Sequence, residues 1–480
     1  MPAQALTDFP DRLSPMLVKE LRQGLRTRTF MVVFLLLQVF TALILLSASI
    51  ASSYDEVGIT ISRIIFIFLS MAVLLVQPLR GINAVHSEIK GRTIDLMVLS
   101  RLSAWRIVLG KWVAIVSQSA LLLTAIVPYL VLRYFFGRMN LFGELSLLGA
   151  VFLLSMLLTA ITVGLSVSPS VLVRTVLPLI GAAFLFFAIP SLCLSPGFEY
   201  FIDFLTFTEP EAKYVVPLFV AMAFYLGWTA LGFAAGVIAP PAKNHATLRR
   251  IVALVVASGS AVFCALALPR YTGWAIVPFM ACLTPVIAIA LTEPDMLVPI
   301  VCKPFVRFGA AGRAAGRFLY PGWPSGVFFV GLLAPLFAFC VHRADLDPEA
   351  AVTMSAWFGS LLFPAACIIP FSRRIGNLFT AYLFIFIGGA VFAAVLAILT
   401  SAMNSESVLW LFVWLPPAHP VLAAQNSIGG DDLVFTASML CDIVLYGILV
   451  VFSFARQRNI AETEKEALAI VETRNPAPEA

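Results

Sequence analysis

The sequence contains little charge. Of its 480 residues, 31 are Lys or Arg and 26 are Asp or Glu, or 12% together, whereas soluble domains carry about 25% charged residues. Hydrophobic residues make up 61%, more than a soluble core of this length could enclose. This composition excludes a soluble globular enzyme, a disordered chain and a nucleic-acid-binding domain. It predicts an all-α polytopic membrane protein, because backbone groups in lipid must be hydrogen-bonded within their own segment.

Sequence motifs that indicate catalytic, metal or nucleotide sites are also missing. No two of the seven cysteines form a CxxC pair, and the four histidines are scattered, which argues against metal or haem ligation. The sequence has no GxxxxGK[ST] phosphate loop, no HExxH and no GxSxG with a plausible base. We therefore predict that the chain is not an enzyme and holds no cofactor or metal.

Long apolar runs predict about 12 transmembrane helices, since a span needs about 20 residues. The predicted spans are residues 30–51, 61–79, 109–132, 145–167, 175–194, 215–239, 251–268, 272–292, 325–341, 351–370, 377–400 and 433–455. With the N-terminus inside, 25 of the 31 Lys and Arg residues fall on the inner side. The positive-inside rule then predicts that both termini are cytoplasmic.

Ionisable residues are rare inside the predicted spans. Asp442, in the last span, is the clear case, and Arg63 lies close enough to an outer boundary to extend towards water. Asp442 has two interpretations. In the first, it has a structural role and is hydrogen-bonded to a neighbouring helix or protonated. In the second, it takes part in transport.

A basic amphipathic helix is predicted before the first span, at 14–28. Leu17, Leu21 and Leu25 recur every fourth residue. Charged residues lie at other positions, among them Lys19, Glu20, Arg22 and Arg26. Such a helix lies on the membrane surface.

The connection after the second span alternates charge with a compact apolar set, over residues 84–107. A short helix with an exposed apolar face marks a protein contact. A helix lying on lipid is the alternative.

This connection resembles the pattern of ABC-2 type transporter permeases. The family has an acid, Gly-Thr, an acid-Leu pair, Leu-Ser and Gly-Lys after the second span. The matching residues here are Glu88, Gly91, Arg92, Thr93, Asp95, Leu96, Leu99, Leu102, Ser103, Gly110 and Lys111. Residues 18–22 are similar to the family's connecting helix. Arg101 replaces a common Pro, and Asp95 a more usual Glu.

The resemblance implies a permease, on family grounds an exporter of the bacterial inner (plasma) membrane, paired with a separate ABC ATP-binding subunit that carries ATP and Mg. A second permease copy or a related permease would complete a dimer in the lipid bilayer. Ile94, Leu96 and Leu99 would dock on the ATPase. Glu88, Arg92 and Asp95 would set charge register, Gly91 and Thr93 would allow the turn and cap the helix, and Ser103 belongs to the same coupling segment. Lys111 would meet lipid phosphate or helix-end carbonyls.

The predicted organisation follows from these segments. Residues 1–29 form the connecting helix. Residues 30–250 form an ABC-2-like six-span domain, with coupling segment 84–107 and outer hairpin 195–214. Residues 251–455 add six spans, with an inner amphipathic segment 293–324 and an outer re-entrant-like segment 401–432. Residues 456–480 are a cytoplasmic tail.

Two other functions remain open. A twelve-span secondary transporter would require ionisable groups at the membrane midplane. A membrane-embedded lipid- or glycan-processing protein would require an interfacial acid cluster, for which Glu199, Asp203, Glu209 and Glu211 are the candidates. A role in assembly or maturation is compatible with the same family resemblance.

Overall fold

The chain is helical throughout the part that the computed structural model describes. That part comprises residues 15–50, 54–91, 103–133, 141–240, 242–266, 269–344, 348–403, 409–425 and 431–474, and it contains no strand. The chain divides into two compact units, Met1–Ala239 and Pro240–Ala480.

Unit 1 begins with the surface helix α1, Pro15–Leu25, and continues through six long helical stretches. Two of these precede the inner connection: α2, Arg28–Ile50, and α3, Tyr54–Ser70. The short helix α4, His86–Lys90, leads into that connection. The remaining helices are α5, Ala104–Arg133; α6, Leu141–Leu165; α7, Leu177–Leu194; the short α8, Gly197–Leu205; and α9, Ala212–Ile238.

Unit 2 has a similar order of long and short helices. Two long helices come first: α10, Ala246–Leu266, and α11, Pro269–Thr292. Two short ones follow, α12, Pro299–Val306, and α13, Gly309–Leu319. Then come α14, Trp323–Arg343; α15, Pro348–Ile368; α16, Leu378–Met403; the short α17, His419–Gln425; and α18, Asp431–Arg474. In both units, short helices therefore lie between the second and third and between the fifth and sixth long stretches.

Eleven helices of the described part are long and apolar enough to cross a membrane, and Ile276–Thr292 within α11 is a shorter apolar stretch. Large apolar side chains cover their outer faces, for example Leu35 at 60% exposure and Phe187 at 73%. Such exposure is compatible with lipid as the solvent. The predicted all-α polytopic membrane fold is confirmed.

The second stretch of unit 1 is irregular at its end. After α3 it continues as a π-helix, Met71–Val76, a short α-turn, Gln77–Leu79, and a 3₁₀ turn, Arg80–Asn83. Pro78 lies at this change, where its missing N–H removes one helical hydrogen bond. The altered winding positions the Arg80 side chain.

Helices α6 and α9 approach closely at Gly164. A Cβ added there would lie 2.7 Å from the carbonyl oxygen of Ala230. We expect Gly164→Val to lower the free energy of unfolding by about 1–3 kcal/mol, the usual cost of overpacking, measured as a lower melting temperature. Gly149→Val is the matched control, since an added Cβ on Gly149 meets nothing within 4 Å. Equal melting temperatures for the two variants would contradict this account of the contact.

Candidate functional site

A largely buried ionic cluster centred on Lys111 lies at one end of unit 1. The Lys111 Nζ atom is 3.0 Å from Oε1 of Glu20 and 3.2 Å from Oε1 of Glu88. Glu20 belongs to α1, Glu88 to α4 and Lys111 to α5. The lysine side chain is only 6% exposed, and the two carboxylates are 18% and 17% exposed. One cation and two anions thus join three helices where water has little access.

A second polar layer surrounds the Arg80 guanidinium. Its Nη2 donates to the Gly24 carbonyl oxygen at 3.3 Å and to Thr27 Oγ1 at 2.9 Å. Its Nη1 donates to Gln77 Oε1 at 3.1 Å and to Gln118 Oε1. Because Gly24 and Thr27 lie at the end of α1 and just beyond it, this layer also fastens the surface helix to the long helices.

Helix α1 carries its basic residues on the side away from these contacts. Lys19, Arg22 and Arg26 are exposed, whereas Leu25 packs on the core between the spans. A helix with apolar residues every fourth position buries one face and leaves the others to water. The structure thus places α1 flat against unit 1 with a basic outer surface.

The predicted coupling segment is described at its two ends. Its central residues lie outside the described part, and their roles stay predictions: Arg92, Thr93, Ile94, Asp95, Leu96 and Leu99. At one end, Gly91 closes α4 with φ −77°, a right-handed conformation that does not require glycine. At the other end, the Ser103 Oγ atom accepts the backbone N–H of Arg106 at 3.3 Å. Ser103 therefore acts as an N-terminal cap for α5.

The expected role of Lys111 is wrong. Within the described part of the chain, its ammonium group binds Glu20 and Glu88 instead of helix-end carbonyls, and its side chain is only 6% exposed. These partners lie 91 and 23 positions away in the sequence. Residue spacing therefore could not identify the pairing, although all three residues lie within the segments that resemble the family.

The opposite end of unit 1 contains a charged contact and a polar contact. Arg63 Nη2 lies 2.9 Å from Oε1 of Glu199, on α8. The sequence predicted only that Arg63 extends towards water, whereas the structure also gives it an ion-pair partner. Next to it in the sequence, the Ser62 Oγ donates to Glu144 Oε1, and both side chains are buried. Sequence reasoning missed Glu144, because the predicted span began one residue after it.

Unit 2 has its own buried ionic cluster. Arg250 Nη2 lies 2.6 Å from Glu293 Oε2, and Arg249 Nη2 pairs with Glu293 Oε1. The Arg250 side chain is 1% exposed. Its Nη1 also donates to the backbone carbonyls of Phe318 at 3.1 Å and Tyr320 at 2.6 Å, and its Nη2 to that of Gly322 at 3.0 Å. This arginine therefore holds the connection between α11 and α14 in place. The only signal in the sequence was an Arg-Arg pair near one helix start and an acid after another helix end.

Stability should depend on pH through Glu293. Burial alone would raise the pKa of this carboxyl group, but Arg250 and then Arg249 outweigh it, and the pKa falls below its ordinary 4.5. A carboxylate with a lowered pKa stabilises the fold above its unfolded pKa, and this contribution is lost as the pH falls through the folded pKa. We expect the melting temperature of the wild type to fall with acidification below pH 4.5. The melting temperature of the Glu293→Gln variant should fall less over the same pH interval. Parallel pH curves for the two proteins would contradict this assignment.

Asp442 lies against α15. Its Oδ2 accepts a hydrogen bond from Ser355 Oγ at 3.3 Å, and Ser355 Oγ lies 2.9 Å from Ser438 Oγ. Its Oδ1 is buried and has no hydrogen-bond partner within the described part of the chain. Asp442 therefore bonds a neighbouring helix with one oxygen and keeps the other unused.

Among the described residues, no three His, Cys, Asp or Glu side chains come close enough to hold a metal ion. Comparisons with family models, with curated proteins and with solved structures gave no match. Function must therefore be inferred from the fold and from the two ionic clusters. They describe a multi-pass bundle of apolar helices, an architecture compatible with a membrane transporter.

Proposed function

We propose that this chain is the permease subunit of an ATP-binding cassette transporter, an exporter powered by ATP hydrolysis on a separate subunit. The observation that carries the proposal is the Lys111 cluster. It brings together Glu20 from the connecting helix, Glu88 from the start of the coupling segment and Lys111 from the Gly-Lys pair. Three separate parts of the ABC-2 pattern thus meet in one contact.

The cluster gives the coupling segment a mechanical connection to the membrane helices. Residues 92–102 run between α4 and α5, and Lys111 binds α4 to α5 and both to α1. A force applied to residues 92–102 would act on the three helices together. Buried ion pairs of this kind resist separation, because each charge would remain desolvated without its partner.

ATP and Mg would be bound by the partner, since this sequence lacks a phosphate loop. On this proposal Ile94, Leu96 and Leu99 contact a groove of the ATPase, and Arg92 and Asp95 set the charge register. The exposed Lys19, Arg22 and Arg26 would lie close to anionic headgroups, which attract basic surface helices.

Co-purification of the two subunits tests the docking surface. We expect Leu96→Asp combined with Leu99→Asp to abolish capture of the ATP-binding subunit by the tagged chain without loss of membrane insertion, because two carboxylates would have to be buried at the contact. The matched control is Leu468→Asp combined with Ile470→Asp, two exposed apolar positions on α18, and it should retain the partner. Undiminished capture by the 96/99 variant would overturn the docking assignment.

The number of chains per complex is part of the proposal. A second permease copy or a related permease would supply the other membrane half. Native mass spectrometry of the purified complex distinguishes them, because it finds either two copies of this chain or one copy and one related permease for two ATP-binding subunits.

A secondary transporter is the second candidate, favoured by the unused buried oxygen of Asp442. A carboxylate inside a membrane bundle can carry a proton. Transport that continues after ATP depletion, collapses with the proton gradient and is lost in Asp442→Asn would favour this function over the ATP-driven one.

A further inference from the structure

A groove in unit 2 combines cationic and aromatic side chains. It is an open groove of about 410 Å³, lined by α13, α14 and α18. Its lining consists of two arginines and a glutamine, three phenylalanines and two alanines: Arg313, Arg317, Gln457, Phe318, Phe328, Phe454, Ala310 and Ala314. The proposed coupling function uses none of these residues.

The two arginines present their guanidinium groups on the same face of α13. They are four positions apart, the spacing at which helical side chains are neighbours, and both are exposed. Arg317 lies 3.9 Å from the nearest carboxylate oxygen, that of Glu464, which is at the limit of an ion pair. Arg313 has no carboxylate within 4 Å in the part of the chain that the structure describes. Both guanidinium groups therefore have donors available for an anion.

The close packing of α13 keeps this face turned outward. Gly312 and Gly316 are buried, and a Cβ on Gly312 would overlap the backbone of Phe305, while one on Gly316 would overlap the Tyr320 ring. Arg313 and Arg317 follow these two glycines directly. The opposite side of α13 thus lies against its neighbours without intervening side chains.

The aromatic part of the groove lies where the apolar helices end. Phe328 belongs to the second turn of α14, and Phe454 lies two residues before Arg456, the first basic residue of α18, with Gln457 one turn further. The rings of Phe318, Phe328 and Phe454 form edge-to-face contacts at 6.2 Å and 5.4 Å between centroids. Charged donors therefore lie beside apolar surface at the boundary between hydrocarbon and water.

An apolar stripe leads from the bundle into this groove. Leu440, Val444, Val451 and Phe454 share one face of α18 and are 58–69% exposed. A soluble anion would gain nothing from that stripe, whereas an acyl chain could lie along it. Its direct continuity with the arginines favours a ligand that has both a phosphate and hydrocarbon tails.

We propose that this groove binds the headgroup of an anionic glycerophospholipid. The phosphate accepts hydrogen bonds from Arg313 and Arg317, whose planar guanidinium groups match phosphate geometry. The glycerol and the first methylene groups contact Phe328 and Phe454, and the acyl chain follows the exposed face of α18. The site is independent of the ATP-binding partner.

Lipid retention by the purified full chain tests the proposal. The chain is incubated in neutral detergent with equimolar phosphatidylglycerol and phosphatidylcholine, and bound lipids are counted by native mass spectrometry. We expect preferential retention of phosphatidylglycerol, and a loss of about tenfold or more in Arg313→Gln combined with Arg317→Gln, because two charge-assisted hydrogen bonds disappear. Arg373→Gln combined with Arg374→Gln, an exposed basic pair outside the groove, should retain the lipid.

Two further measurements keep the result decisive. Arg313→Gln alone disturbs no ion pair of the described residues, so its reduced retention would support the site even if the double variant were unstable. Excess inorganic phosphate should leave bound phosphatidylglycerol in place, and displacement by phosphate would assign the site to a free anion and overturn the proposal. Equal retention by the wild type and the Arg313→Gln variants would overturn it as well, and retention reduced equally by the 373/374 control would show general surface attraction.

Discussion

Replacing Lys111 by methionine should strongly destabilise unit 1. The substitution leaves Glu20 and Glu88 close together, largely buried and without their common cation. Removing one partner of a buried ion pair costs about 3–5 kcal/mol, because the remaining charge stays desolvated. We expect a melting temperature lowered by many degrees in detergent, together with faster proteolysis of α1.

Carboxylate neutralisation should reverse much of this loss. In Lys111→Met combined with Glu20→Gln and Glu88→Gln, no charge remains to be desolvated, so stability should recover towards that of the wild type. Glu20→Gln alone should cost little, since the cluster holds two anions for one cation. If Lys111→Met melted like the wild type, or if the triple variant remained as unstable as the single one, the ionic account of this contact would be wrong.

Replacing Arg250 should have an equally large effect in unit 2. Arg250→Met removes one of the two arginine partners of Glu293 and the arginine donors of three carbonyl oxygens, of which that of Gly322 keeps the backbone N–H of Gly326. Losing the charge-assisted bond to Glu293 costs about 1.5–3 kcal/mol, and each buried carbonyl left without a donor adds about 1–3 kcal/mol. We expect the chain to accumulate poorly in the membrane, because the connection between α11 and α14 loses its central contact.

The charge alone should not restore this contact. Arg250→Lys keeps the positive charge but offers one nitrogen where the guanidinium uses two, so it should recover only part of the stability. Arg374→Met, a substitution at an exposed position, is the control for loss of an arginine. Full recovery by lysine would show that charge alone matters. An Arg250→Met variant as stable as the wild type would contradict the claim that this cluster stabilises unit 2.

The helical fold could be predicted because each membrane span must satisfy its own backbone hydrogen bonds. Apolar runs therefore located the eleven candidate spans and the shorter apolar stretch Ile276–Thr292, although the last helix continues to Arg474, well beyond the predicted span end at 455. The same logic failed at Glu144, because an acid at the end of an apolar run is indistinguishable from a loop residue in sequence. It also could not foresee the winding change at Met71–Val76, because Pro78 predicts a lost helical hydrogen bond but not how the helix winds before it.

The candidate site could be predicted in composition but not in geometry. Glu20, Glu88 and Lys111 were each identified from the resemblance, yet nothing in their spacing indicates that they meet. Ion pairs across 91 positions depend on how helices pack, and sequence periodicity reports only one helix at a time. The contact between Arg250 and Glu293 also depends on helix packing. In addition, charged residues at helix ends are usually exposed, so the sequence did not indicate that these two are buried.

Isolation of the tagged wild-type chain from native membranes tests the central claim most directly. The account predicts that a second chain carrying a GxxxxGK[ST] loop co-purifies in stoichiometric amount and that the complex hydrolyses ATP. It also predicts that Lys111→Met reduces this hydrolysis in whatever complex remains. A chain that purifies without any nucleotide-binding partner, in a preparation without ATP hydrolysis, would contradict the account.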